Sequence, residues 1–206
     1  MVDLLIFPFN GNAKEALDCI GDNYRVIAFI DDQQSKHGEY QGIPVGGREW
    51  LSKLKDGAKL LAVPGSTNTY KILDEIIASF SLNDQDWATV IHPQASISSS
   101  ATVGHNVLIM AGTVLTAESK VGNHCCILPN CVIHHDAVLE DYCTLAAGVL
   151  VAGYTRIGQK SYLGAGCRIK NNLTLEKETL VGMGSNVLKS FPPKSVIAGN
   201  PARLLR

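Results

Sequence analysis

A charge imbalance, a Cys-x-x-Cys pair, a long apolar run and a G-x-G-x-x-G dinucleotide fingerprint are all missing from this 206-residue chain. Lysine and arginine number 18 against 19 aspartates and glutamates, a net charge of −1, and no basic cluster interrupts the sequence. A phosphate-backbone partner needs concentrated positive charge, so nucleic acid is not an expected ligand. No apolar stretch approaches the roughly 20 residues that cross a bilayer, so no membrane insertion is expected. The opening segment from Val2 to Phe9 is apolar but short, carries Asp3, and lacks a basic flank or small-residue cleavage site. It reads as a buried strand rather than a secretory signal. Without a Cys-x-x-Cys pair, the six cysteines argue against a disulfide framework or metal cluster and for a reducing cytoplasm.

What the chain does contain is a repeat. Seventeen positions spaced by six, from Ile91 through Ile97, Val103 and Ile109 to Val187, all hold Ile, Leu or Val. A period of six fits neither the 3.6 of a helix nor plain strand alternation. It predicts a hexapeptide β-helix, each hexad making one short face and one turn. Three hexads close a triangular coil, so residues eighteen apart should stack at roughly 4.8 Å, the spacing of paired strands. Gly104, Gly122 and Gly158 each follow an aliphatic position and keep that register, as do Gly164 and Gly182. Cys125, Cys131, Cys143 and Cys167 sit two residues before a member of the series, a slot otherwise held by small residues such as Ala101, Thr113 and Ser161. They read as interior fillers. The repeat covers five to six coils and is expected to stop at Pro192-Pro193, because proline removes a ladder donor.

The preceding residues have another texture. Leu4 to Phe7, Tyr24 to Ile30 and Leu60 to Val63 read as strands. Ala13 to Ile20, Trp50 to Leu54 and Tyr70 to Phe80 read as helices, the last with Ile72, Ile76 and Phe80 on one face. Alternation of this kind predicts an α/β Rossmann-like domain over residues 1–86, followed by the parallel β-helix over residues 87–206 with its terminal cap. In such sheets ligands lie beyond the carboxyl ends of the strands. Asn10, Gly11, Asn12, Asp31, Asp32 and Gly65 each follow a strand and are therefore substrate-binding candidates. Glycine admits a close ligand, a helix amino-terminus favours phosphate, and carboxylates accept from sugar hydroxyls. The plain alternative is ordinary turn residues on a support domain.

Among the hexad turns, His134-His135-Asp136 stands apart, two imidazoles and a carboxylate at one corner. Stacking sets His135 between Ala117 and Gly153, where small neighbours leave room for a ligand, and Asp136 beneath Tyr154. Solvated corner residues are the bland reading. Zinc is a sharper rival, but it needs three convergent ligands; the position five after His135 is Glu140, one coil below is Ala117, and His105 and His124 are out of register. No metal is expected.

The glycine turn after the first strand, Ile91-His92-Pro93-x-Ala95, the hexads and Gly199-Asn200-Pro201-Ala202 together resemble one family along nearly the whole chain. It is the two-domain bacterial sugar acyltransferases, which include bacillosamine-pathway and perosamine N-acetyltransferases and sialic-acid O-acetyltransferases. The resemblance implies a left-handed β-helix, a homotrimer with active sites between subunits, acetyl-CoA as co-substrate, and a sugar or nucleotide sugar as acceptor. It puts the family's catalytic histidine on His135, in Val132-Ile133-His134-His135-Asp136, and its following carboxylate on Asp136. Gly153 matches the glycine whose amide meets the acetyl carbonyl, and Ala165 and Met183 match backbone contacts to the coenzyme. Thr144 aligns with a second family histidine near the thioester. Asn10, Gly11 and Asn12 match the substrate-binding turn, which here lacks the family's histidine; Asp31 and Asp32 match the acidic pair, and Gly65 the third strand's exit.

The expected chemistry is acetyl transfer, most simply N-acetylation of a nucleotide-linked amino sugar in bacterial glycan biosynthesis. His135 would take the acceptor's proton, its ordinary pKa of about 6.5 lying near working pH. Asp136 would orient the ring, and the Gly153 amide would meet the developing oxyanion. O-acetylation of a free sugar acid and a non-catalytic trimeric scaffold remain alternatives.

Overall fold

The computed structural model describes residues 1–205. Its first sheet contains β1 (Val2–Phe7), β2 (Tyr24–Ile30), β3 (Gly38–Tyr40), β4 (Ile43–Gly46) and β5 (Lys59–Ala62), in the order β3-β4-β2-β1-β5. All pairings are parallel except β3 with β4. Both sheet faces are covered, which is why β1 reads as an unbroken apolar run rather than an alternation. Leu4 and Ile6 pack toward α1 (Gly11–Cys19), while Leu5 and Phe7 pack against Ile77, Phe80 and Trp87. Asn10 caps α1, its Oδ1 accepting from the Ala13 N–H at 2.9 Å.

Helix is scarcer than expected. Arg48–Asp56 is 3-10, and Tyr70–Phe80 divides into a 3-10 turn, Tyr70–Ile72, and α2 (Leu73–Ala78). The buried face there is Leu73 and Ile77, with Ile72 left 42% exposed. Tyr70 turns inward beside Tyr162, 6.4 Å between ring centroids, and of the expected face Phe80 is buried and Ile76 half-buried.

Two-residue strands then run from β6 (Val90–Ile91) to β22 (Asn186–Val187) and fall into three stacked parallel sheets, the faces of a prism. The first face holds Val90–Ile91, Leu108–Ile109, Cys126–Ile127, Thr144–Leu145, Tyr162–Leu163 and Leu180–Val181. The second runs from Ser96–Ile97 to Asn186–Val187, the third from Thr102–Val103 to Thr174–Leu175. Partners are eighteen apart, as in Leu115↔Ile133↔Val151, and the arrangement fits a left-handed parallel β-helix. From Ile109 onward the aliphatic series is buried, and Cys125, Cys131, Cys143 and Cys167 fill the interior beside it. Burial pushes the Cys131 and Cys167 thiols up to about 11 and about 12. Small polar fillers satisfy their hydroxyls on carbonyls, Ser119 on Thr116 at 2.7 Å and Thr155 on Lys170 at 3.0 Å.

The six-residue repeat ends at Pro192-Pro193 as expected, but strand pairing continues past it. β23 (Val196–Gly199) adds to the first face in parallel, Val196 opposite Leu180, and β24 (Ala202–Leu204) folds back antiparallel on it. The prolines occupy the corner of that shortened coil, where no ladder donor is needed.

The first sheet is docked on the prism's first face. One apolar cluster runs from Leu4, Ile6 and Phe29 into Leu108, Met110 and Cys126. The Asn106 side-chain amide pairs with both backbone groups of Ala62, accepting from its N–H at 2.7 Å and donating to its C=O at 3.2 Å. Asp74 of α2 meets Lys160 at 2.9 Å. No helix among the described residues is long and apolar enough to cross a membrane.

Candidate functional site

The hexad turns set the site's geometry. One residue in most turns takes a positive φ, +59° at Asp136 and +58° at Tyr154, a conformation that short polar side chains tolerate best. At Asp136 this turns the carboxylate back onto the preceding ring, and its Oδ2 lies 2.9 Å from His135 Nδ1. The His135 side chain is 51% exposed, so Nε2 is free to face a ligand. One coil on, Gly153 lies directly against the imidazole: a Cβ there would sit 2.7 Å from His135 Cε1 and 2.8 Å from Nε2. The register that produces this is explicit, since the Asp136 N–H donates to Ala117 C=O and the Tyr154 N–H to His135 C=O. Tyr154 walls the ring edge-on, centroids 5.1 Å apart at 82°. A neutral imidazole that donates Nδ1–H to a carboxylate presents Nε2 as an acceptor, the state a general base requires.

The remaining candidates lie elsewhere. Ala165 and Met183 stack on one another, the Gly184 N–H donating to Ala165 C=O at 2.8 Å, and Met183 is 79% exposed. They occupy the edge between the first and second faces, whereas His135 and Gly153 occupy the edge between the second and third. Thr144, expected beside the thioester, is 2% exposed on the first face, beneath Gly65 and the docked sheet. It offers a coenzyme no surface, and its part is packing: a Cβ on Gly65 would come within 3.2 Å of Thr144 Oγ1.

Of the strand-end residues, Asn10, Asp32 and Gly65 line a cleft of about 560 Å³ together with Arg48, Ser66 and Thr69. Asp31 does not reach it as a free group. It is buried, accepts from the Gln33 N–H at 2.9 Å and pairs with Lys36 at 2.8 Å. Gly11 is exposed in the first turn of α1, and Asn12 points inward, its Nδ2 3.9 Å from Cys126 Sγ. Asp32 is exposed and forked by Arg48, which holds its carboxyl below the usual range chiefly through their hydrogen bond.

Sequence reasoning passed over a second imidazole pair. His105 and His124, nineteen apart on adjacent coils, bring their Nε2 atoms to 3.2 Å at the edge between the third and first faces. Asn106 fixes their tautomers. Its Oδ1 faces the Ala62 N–H, so its Nδ2 must donate to His124 Nδ1, at 2.9 Å. His124 therefore carries its proton on Nε2 and donates to His105, which removes that nitrogen from metal ligation. Trp87 and Tyr142 enclose the His124 ring, and burial lowers its pKa to about 4. Among the described residues no three His, Cys, Asp or Glu side chains converge as a metal set.

Comparison with known proteins places this geometry in context. PerB from Caulobacter crescentus, solved with CoA and GDP-perosamine, superposes with a TM-score of 0.85 at 26% identity, covering 99% of this chain and 97% of that one. The acetyltransferase domain of PglB from Neisseria gonorrhoeae FA1090, solved with acetyl coenzyme A, gives 0.86 at 25% identity, covering 98% of each. In sequence, the mitochondrial serine acetyltransferase 3 of Arabidopsis thaliana is 33% identical over 121 residues, 58% of this chain and 27% of its own length. The chain thus spans about a third or less of the curated plant relatives it matches first. The protein-family description "GMPPB C-terminal domain" matches residues 87–197, more than half of the chain, and the protein belongs to that family.

Proposed function

We propose that this protein is an acetyl-CoA-dependent acyltransferase that N-acetylates a nucleotide-linked amino sugar in glycan biosynthesis. The observation that carries the reading is the His135 imidazole, tied to Asp136 at Nδ1 and laid against the backbone of Gly153. His135 Nε2 receives the proton from the attacking amine, and Asp136 holds the ring in the accepting tautomer and balances the imidazolium. The Gly153 N–H, which donates to no backbone acceptor among the described residues, is available to the carbonyl oxygen of the thioester. Ala165 and Met183 supply backbone contacts to the pantetheine arm. Acetyl-CoA enters as co-substrate; as the N–C bond forms the thioester C–S bond breaks, and the departing thiolate takes the proton from the His135 imidazolium to leave as CoA thiol. Relatives crystallised with CoA, acetyl-CoA and GDP-perosamine support these ligand classes.

Residues 1–86 act as a Rossmann-like substrate-binding unit and residues 87–206 as the transferase unit. The strand-end cleft of the first unit holds the nucleotide through Asn10, Gly65 and Asp32, with Gly11 and Asn12 at the α1 amino-terminus; Asp31 supports the turn. The prism argues for self-assembly. The first unit covers the first face, and the His135 edge lies opposite that face. The coenzyme residues occupy another edge still. One copy thus sets cleft, base and coenzyme edge on different sides of the prism, which favours a site shared between neighbouring copies in a cytoplasmic homotrimer.

The test is a thiol-release screen with acetyl-CoA against UDP-, GDP- and dTDP-linked amino sugars and free sialic-type acids, with mass spectrometry of the products. Acetylation of a nucleotide-linked amine is the expected result. Transfer only to a free sugar acid would turn the assignment to O-acetylation, and no release with any acceptor would favour a scaffold.

A further inference from the structure

Arg48 is the most fully engaged side chain around the strand-end cleft. A guanidinium has five N–H groups. Here Nε and Nη2 donate to the two Asp32 oxygens at 2.7 and 2.9 Å, and Nη1 donates to the Ser79 carbonyl and hydroxyl, both at 3.1 Å. The flat face of the group rests on Phe80, 4.4 Å from the ring centroid, with Phe7 at 5.8 Å on the same aromatic pair. So held, Arg48 has little left to offer a ligand. Its partner does: Asp32 is 51% exposed, and a carboxylate can accept about four hydrogen bonds, of which Arg48 takes two.

The basic side chains of the cleft are matched in the same way. Lys36 is paired with buried Asp31 at 2.8 Å, so neither of the two basic side chains of the lining is unpaired. Such a lining suits a neutral donor, a ring N–H or a ribose hydroxyl, at Asp32. The Arg48 pair also offsets the Asp32 charge toward a diphosphate bound in the same space, leaving Glu75 as the lining carboxylate with no ion pair among the described residues.

We infer that Arg48 is a positioning residue that fixes Asp32 as a charge-compensated acceptor for the nucleoside part of the substrate. The inference rests on the reading of the cleft as the nucleotide site, and its test separates the two. UDP, GDP and dTDP are titrated calorimetrically into the intact protein, and steady-state kinetics are run with the acceptor found above. The wild type is expected to bind at least one of the three nucleotides. Arg48→Gln should weaken that binding at least tenfold and raise the acceptor KM in proportion, with kcat and the acetyl-CoA KM within twofold. Arg48→Lys, which keeps the charge but not the fork, should recover only part of the loss. Adding Asp32→Asn to Arg48→Gln should also recover part of it, because the unpaired carboxylate is then gone although the fork is not restored. Unchanged nucleotide binding in Arg48→Gln, or a loss that Asp32→Asn leaves untouched, overturns the role of Arg48 alone. Failure of the wild type to bind any of the three overturns the nucleotide cleft and this inference with it.

Discussion

Two imidazole pairs sit in turns of the same coil and have opposite environments. His134 and His135 occupy an edge away from the first sheet; His105 and His124 occupy the edge over which that sheet folds. The turns themselves are alike, with φ +58° at His124 and +59° at Asp136, so His124 holds the turn position that Asp136, not His135, holds on the other edge. What differs is the neighbour across the coil. His135 meets a carboxylate and a bare glycine backbone, whereas His124 meets Asn106, Trp87 and Tyr142. Placing the first sheet on one face encloses one pair and leaves His135 of the other exposed.

Substitution can break this contrast. The largest expected effect is His135→Ala, which should lower turnover by about two decades or more while acetyl-CoA affinity, read by calorimetry, stays within twofold. Comparable turnover would remove His135 from the mechanism. Asp136→Asn keeps a residue that tolerates positive φ but loses the charge opposite the imidazolium; a fall of about ten- to a hundredfold in kcat is expected, with an unchanged melting temperature. Gly153→Ala pushes a methyl into the ring, so about a tenfold loss of kcat should accompany a visible shift of the His135 imidazole resonances. The same Ala at Gly148, which has a positive φ but no close side chain, should cost stability instead.

The smallest effect sharpens the contrast from the other side. His124 titrates at about 4 when folded, below the ordinary value of about 6.5, because burial and then His105 disfavour its charged form. The stability this confers is whole above pH 6.5 and is lost as pH falls from there to about 4. Because the ring is only part-buried, the loss should be about 1–2 kcal/mol, seen as a drop in denaturation midpoint. Replacing His124 with Gln should flatten that acid limb and leave kcat unaltered. A limb that survives the change would place the titrating group elsewhere.

How much of this was legible depended on whether neighbours were a fixed number of residues apart. The eighteen-residue register predicted that His135 meets Gly153 and that Asp136 stacks below Tyr154, because β-helix contacts repeat along the chain. The same rule fails at the ends: Ile91 is 37% exposed because no coil lies beneath the first one. It also says nothing about what lands on a face. Thr144 looked available because covering it takes Gly65, some eighty residues earlier, and no periodicity links the two. His105 and His124 looked unrelated because the rule compared them with His135 rather than with each other; a nineteen-residue diagonal joins them. The helices of the first unit were the least legible part, since short segments pinned by tertiary contacts, such as Tyr70 on Tyr162, drift from their propensity.

The reversed last strand bears on how this protein behaves in crowded solution. Identical rungs running the same way form a ladder whose unpaired end invites another molecule to continue it, the geometry on which fibres grow. β24 runs against that direction and occupies the pairing groups of β23. A newcomer approaching the first face there finds the wrong polarity, so continuation of that face end upon end is discouraged.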